Sequence, residues 1–365
     1  MPRASNSAAR SRRAKGTQTA KGAPNATASV APAPKKSAGA LRNLPLDFVK
    51  GALVVVMVVY HALNILSDAG PEAYTYLRFV SGAFILVSGY VIASFFERPF
   101  KADPAGTSRK LISRGLKLLL LFTLLNVLIH LTGFGNPNKG PTGIDRFLGS
   151  LLEVYVQGAP GAASFQILLP IAYLLILAPL VLALAEAGVW VLAAAIAAAL
   201  IEPMLGGSSA NATFMVLGVI GLSGGLLLST ARPLAQVRNG WVALAGLVAV
   251  TALAPLTNDN LVTYALQTSL LLKLLYDIAQ STDLGSQLPR ALILLGRTSL
   301  VCYILQIIFL QVLNRAFLGV KWPLGGELAL AALATVLVMW VAAATLDRLR
   351  ASYTWIDRMY KLVFG

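Results

Sequence analysis

The sequence predicts an all-α protein: a polytopic bundle of about ten transmembrane helices with both chain ends in the cytoplasm. Three observations carry this. Hydrophobic residues make up 57% of the 365 and charged residues only 12%, against about 25% charged in a soluble globular domain. Mean hydropathy is +0.72, and the chain breaks into apolar runs near the length of about 20 residues that a helix needs to cross a bilayer core. The 30 Lys and Arg residues gather beside those runs, which is how membrane helices are oriented.

Residues 1–42 are rich in Ala, Pro, Ser, Thr, Lys and Arg and lack apolar periodicity. Such a segment cannot bury enough apolar surface to offset its ordering entropy. It reads as a disordered, basic cytoplasmic tail whose charge suits anionic lipid. The apolar run after it is too long for the core of a cleaved signal peptide. From there, spans are predicted near 46–66, 73–97, 110–132, 165–186, 188–203, 211–231, 239–256, 259–279, 290–318 and 325–347. Only Glu186 to Gly188 part the fourth from the fifth. The loop 133–164 is the longest and holds a short amphipathic piece, Ile144 to Val156, expected at the interface.

Charge orients the bundle. With the N-terminus inside, the inner loops hold Arg98 to Lys110, Arg232, Arg238, Arg290 and a tail with Arg348, Arg350, Arg358 and Lys361. The outer loops hold Asp68, Glu72 and Asp259 with few basic residues. An even span count with both ends inside fits this asymmetry. The net charge of +15 is therefore a topology signal rather than a nucleic-acid footprint, and no nucleic-acid partner is expected. The single cysteine, Cys302, excludes an internal disulfide and any cysteine-based metal site.

Ionisable groups inside membrane spans are costly and are functional candidates by default. The first span carries Asp47, Lys50 and His61. Lys50 and His61 return to within about 20° of one face at 100° per residue, and Asp47 and His61 lie about 21 Å apart along the axis. One helix stripe thus bears an ion pair near one surface and a titratable ring toward the other. The plain reading of Asp47 and Lys50 is an interfacial ion pair with a snorkelling lysine. That of His61 is a core histidine bonded to a neighbouring helix. Against it stands the suitability of a ring held in a dry bundle as a general base. Arg78 in the second span has no adjacent acid and is a candidate acceptor contact. His130 is the only other histidine, and one possible pair on two helices is thin support for haem. No phosphate-binding loop, dinucleotide fingerprint or metalloprotease motif occurs.

The run Leu46-Asp47-Phe48-Val49-Lys50-Gly51, followed by His61, resembles the first helix of the acyltransferase type 3 family. That family has an Asp, an Arg-Gly pair three positions on, and a His with ten residues between it and the Arg. Here Lys50 stands in for Arg, keeping the charge and losing the planar fork. Phe84-Ile85-Leu86-Val87-Ser88-Gly89-Tyr90, Arg114-Gly115-Leu116-Lys117, and Leu295-Gly296-Arg297-Thr298-Ser299-Leu300 with Tyr303-Ile304-Leu305-Gln306 resemble later helices of the family. Many members have His where this chain has Gln306.

The resemblance implies a membrane acyltransferase domain over 43–365. It would move an acetyl- or succinyl-type group from cytoplasmic acyl-CoA to a hydroxyl of an envelope or exported carbohydrate or glycolipid. On this reading His61 is the general base, with Asp47 as its catalytic companion. Lys50, Arg114 and Lys117 would hold the acyl-CoA phosphates. Asn64, Arg78 and Tyr90 would contact the acceptor. Acyl-CoA is a co-substrate, and no metal or haem is expected. Composition favours a bacterial inner membrane. The alternative is a multi-span transporter or flippase for an envelope precursor. Such proteins often show internal repeats and broken helices in matching halves, and no such self-similarity is visible here.

Overall fold

The computed structural model describes residues 43–67, 76–77, 79–132, 144–158, 163–184, 209–230, 239–254, 261–317, 322 and 325–364. They form helices: α1 (Leu44–Leu66), α2 (Phe79–Ala102), α3 (Pro104–Leu131), α4 (Ile144–Gly149), α5 (Leu151–Gln157), α6 (Leu168–Ala183) and α7 (Ala210–Thr230). After these come α8 (Gly240–Leu253), α9 (Leu261–Ser281), α10 (Gln287–Arg297), α11 (Ser299–Ala316), α12 (Gly326–Ser352) and α13 (Thr354–Phe364). Two of the helix starts are written in local sequence. Asn43 accepts the Leu46 N–H at 3.1 Å and Asp103 accepts the Gly106 N–H at 2.9 Å, each ahead of a proline in the first turn, where its missing N–H costs nothing.

Among the described residues six helices are long and apolar enough to cross a bilayer: α1, α2, α3, α7 over Ala210–Leu227, α11 and α12. Two shorter apolar helices, α6 and α8, join them. The protein is a multi-pass membrane protein. Its outer surface agrees, since Leu116, Leu120, Leu124 and Leu128 recur every fourth residue on α3 and are 54–59% exposed. Such a stripe is stable only when its solvent is lipid.

The predicted spans fare unequally. The run 290–318 is not one helix. It breaks at Thr298 into amphipathic α10 and apolar α11, and Arg297 at the break lies 3.8 Å from Asp347. The span 259–279 appears as α9, where Lys273 pairs with Asp277 as its i, i+4 spacing suggests. The span predicted at 188–203 and its boundary at 186–188 lie outside the described residues. The amphipathic piece at 144–156 forms α4 and α5, but it does not simply float at the interface. Phe147 and Val154 are 0% exposed and belong to the main core.

Glycine decides how closely the helices approach. A Cβ at Gly51 of α1 would overlap the Leu292 carbonyl of α10, and one at Gly296 of α10 would overlap the Asp47 carbonyl of α1. The two backbones therefore touch, the small-residue packing expected where hydrophobicity cannot drive helix association. The crossing of α2 and α7 uses the same device through Gly89, Gly218 and Gly221.

Candidate active site

Six helices, α1, α2, α3, α6, α11 and, through Val363, α13, wall a cavity of about 260 Å³. Its lining is apolar, with Phe84, Val87, Val91, Ile92 and Phe96 from α2 and Leu168, Ile171 and Leu175 from α6. Polar groups enter at named points: Lys50, Ser88, Arg114, Ser299 and Tyr303. From Phe96 to Phe84 the α2 wall rises about 18 Å at 1.5 Å per residue. One end is cationic. There Arg114 lies over the Phe96 ring, 5.3 Å from its centroid, and Lys50 pairs with Asp47 at 2.8 Å. Asp47 is 5% exposed, so the ion pair sits within the packing of α1 on α10, held there by the glycine crossing.

The opposite end is closed by Tyr303, 7% exposed, whose hydroxyl is held by the backbone of Ile167. Beyond this ring stands His61, with ring centroids 6.1 Å apart. The cavity thus runs from two cations toward the one histidine on the Asp47–Lys50 stripe, with a tyrosine between.

The predicted site residues divide accordingly. Lys50 and Arg114 meet at one cavity mouth. Lys117, one turn along α3, is half-buried and absent from the lining. Asp47 and His61 stand at opposite ends of one continuous helix, so Asp47 orients Lys50 and does not reach the imidazole. Asn64 shares the His61 side of α1 one turn on. Tyr90 is off the cavity lining, with its hydroxyl on Ser94 and Tyr276 nearby. Arg78 lies outside the described residues. His130 stacks on Phe147 at 5.4 Å and is part of the α3–α4 packing.

Sequence reasoning passes over several contributors. Asn126, 0% exposed, uses both ends of its amide to clamp Ser164. Its Nδ2 donates to the Ser164 carbonyl at 3.0 Å, and its Oδ1 accepts the Ser164 N–H at 2.6 Å. The next residue, Phe165, has φ +57, the left-handed region that a bulky side chain rarely enters. Its ring meets Tyr303 edge to face at 6.2 Å. A buried amide inside an apolar run is a usable signal for Asn126, whereas nothing in the sequence marks Phe165. One turn beyond Tyr303, Gln306 is 0% exposed and neither atom of its amide has a hydrogen-bond partner among the described residues.

The cationic mouth has a neighbour in α13, whose Val363 joins the cavity wall. Asp357 accepts from Arg350 Nη2 at 2.9 Å and Nε at 3.1 Å and pairs with Lys361. Lys361 first, then Arg350, hold the Asp357 carboxyl below its ordinary value. Arg350 also lies over the Tyr360 ring, 3.8 Å from its centroid. These contacts fasten α13 to the end of α12.

A cavity with cations at one end and an apolar slot leading to Tyr303, with His61 6.1 Å from that ring, suits a ligand with an anionic head and an uncharged arm. Comparison with known families agrees. The family profile described as an acyltransferase domain matches residues 43–346, a range containing every cavity residue except Val363. No curated protein and no solved structure matches the chain.

Proposed function

Because the chain belongs to the acyltransferase type 3 family, we propose that it is a multi-pass membrane O-acyltransferase. It moves an acetyl- or succinyl-type group from cytoplasmic acyl-CoA to a hydroxyl of an envelope or exported carbohydrate. The observation that carries this reading is the cavity with Lys50 and Arg114 at one end and Tyr303, backed by His61, at the other. The reading puts the Lys50 end in the cytoplasm, where acyl-CoA is, within a bundle of about ten spans with both ends inside, and the basic loops support that orientation. A bacterial inner membrane is the setting that composition favours.

Phosphates of the donor pair with Lys50 and Arg114, charge-assisted contacts in a partly dry mouth. Lys117, off the wall, adds attraction at longer range. The uncharged arm fills the apolar slot and brings the thioester toward Tyr303. The acceptor binds on the far side, near Asn64, with Arg78 as an acceptor contact by its place in the sequence. His61 takes the proton of the acceptor hydroxyl as its oxygen attacks the thioester carbonyl. When the tetrahedral intermediate collapses, the C–S bond breaks, the sulfur leaves as thiolate, and the imidazolium proton passes to it. The products are an ester and free CoA thiol.

The test is replacement of His61 by Ala in full-length protein, with label followed from acyl-CoA into surface glycan. A general base contributes about 10²–10⁴-fold, so incorporation falls to background while membrane insertion is unchanged. Undiminished labelling removes His61 from the chemistry. A transporter, in contrast, moves its substrate with no acyl-CoA present.

A further inference from the structure

Two groups that must meet in the proposed reaction are separated by a ring. The thioester reaches the cavity from the Lys50 end, His61 lies past the cavity's far wall, and that wall is Tyr303. The ring is held from three sides. Ile167 engages its hydroxyl, His61 flanks it at 6.1 Å, and Phe165 meets it edge to face at 6.2 Å. Phe165 does so from a left-handed backbone, the only positive-φ non-glycine residue among those described. Such a conformation persists only where its surroundings enforce it, and it clusters at functional sites. Here the enforcement is visible: Asn126 fixes the preceding residue, Ser164, through both backbone groups.

We propose that Tyr303, propped by Phe165, is a positioning residue that seals the donor cavity from His61 and yields only when donor and acceptor are both bound. This rests on the acyltransferase reading above. The physical need is exclusion of water. A thioester next to a general base is hydrolysed if water reaches both: the oxygen of water adds to the carbonyl, the C–S bond breaks, and a carboxylate and CoA thiol result. A closed ring between the two keeps acyl-CoA intact until an acceptor hydroxyl reaches His61.

The experiment uses full-length protein in vesicles with radiolabelled acetyl-CoA and no acceptor, reading CoA thiol release, beside labelling of surface glycan in cells. Phe165→Gly removes the prop and keeps the backbone, because glycine takes this conformation freely. It is expected to raise acceptor-free release by about tenfold, and Tyr303→Ala does the same. Tyr303→Phe, which keeps the ring, stays within about twofold of wild type. His61→Ala added to Phe165→Gly abolishes the leak, since the water is activated at the same base. A role confined to stability would lower transfer and release together. Each variant is checked for burial of Cys302 with a thiol-reactive dye. If Tyr303→Ala does not fold, Phe165→Gly decides. Folded Phe165→Gly protein that transfers label with wild-type release overturns the seal and leaves the acyltransferase standing. Wild-type protein that neither transfers label nor releases CoA overturns both.

Discussion

Adding one methyl group to α1 should loosen the frame that holds the cationic mouth. A Cβ at Gly51 overlaps the carbonyl of Leu292 and comes within 3.1 Å of the Gly296 N, both backbone atoms that cannot turn aside. The helices must part. A gap of about 0.5–1 Å forfeits a quarter to a half of the dispersion energy between facing atoms. The atoms concerned include Phe48 and Val54 on α1 and Ile293 and Leu295 on α10, all buried. Overpacking of this kind costs about 1–3 kcal/mol, and the backbone contact argues for about 2 kcal/mol in Gly51→Ala. Gly296→Ala, which meets the Asp47 carbonyl, should cost the same. The two methyl groups obstruct a single crossing, so helices parted by the first already make room for the second. The double variant should therefore cost clearly less than the sum, with a coupling of about 1 kcal/mol.

Cys302 supplies the assay. It is the only cysteine and is 1% exposed, so a thiol-reactive dye reports thermal unfolding of detergent-purified protein. For a unit spanning Asn43–Gly365, at about 2.1 cal/mol/K per residue, a loss of about 2 kcal/mol corresponds to a melting point lower by about 3 °C. A Gly51→Ala melting point within about 1 °C of wild type would falsify the close crossing. Full additivity of the two losses would sink the claim that one contact is shared.

Arg114→Ala should raise KM for acyl-CoA by about tenfold or more while kcat changes less, because the loss is of ground-state binding to the phosphates; equal effects on both parameters would contradict its placement at the mouth. Gln306→Leu should leave stability unchanged or raise it, since neither amide atom has a partner among the described residues and replacing such a group with an apolar one removes its desolvation cost. A loss of melting temperature instead would show that the amide is satisfied. For Asp357 the folded carboxyl sits below its ordinary value of 3.8, so its contribution is present above that value and is lost as pH falls through the lower, folded one. Hydrogen exchange over Thr354–Phe364 should quicken in that acid window, and Asp357→Asn should quicken it already at neutral pH; protection unchanged in both would mean that α13 is anchored by apolar contacts alone.

Residues whose signal is local are legible in the sequence alone. Asn43 and Asp103 precede proline and cap their helices as short polar side chains do. The Lys273–Asp277 pair follows from i, i+4 spacing. The Asp47–Lys50 pair can be read from one turn of sequence and exists at 2.8 Å. The break at Thr298 is hidden because a largely apolar run looks continuous to a hydropathy window, and only the structure shows α10 ending just after Gly296 packs on Asp47. Motif position groups Tyr90 with the acceptor contacts, yet its hydroxyl belongs to Ser94. A motif cannot say which face of α2 meets the cavity, and Ser88, two residues away, is the one that lines it.

By itself the sequence determined that the chain lives in lipid, that short polar caps at Asn43 and Asp103 start two of its helices, and that Asp47, Lys50 and His61 share one helix. Those properties depend on composition, on caps and on a 3.6-residue period, all of which act within one segment. Only the tertiary structure decided that Arg114 and Lys50 line one cavity while Lys117 does not, and that Tyr303 lies in its wall with His61 6.1 Å from the ring. It alone showed that a strained Phe165, held through Asn126, keeps that ring in place. Contacts between distant segments follow from how closely helices can pack. Here that closeness is set by glycines at crossings such as Gly51 on Leu292, whose partners no stretch of sequence names.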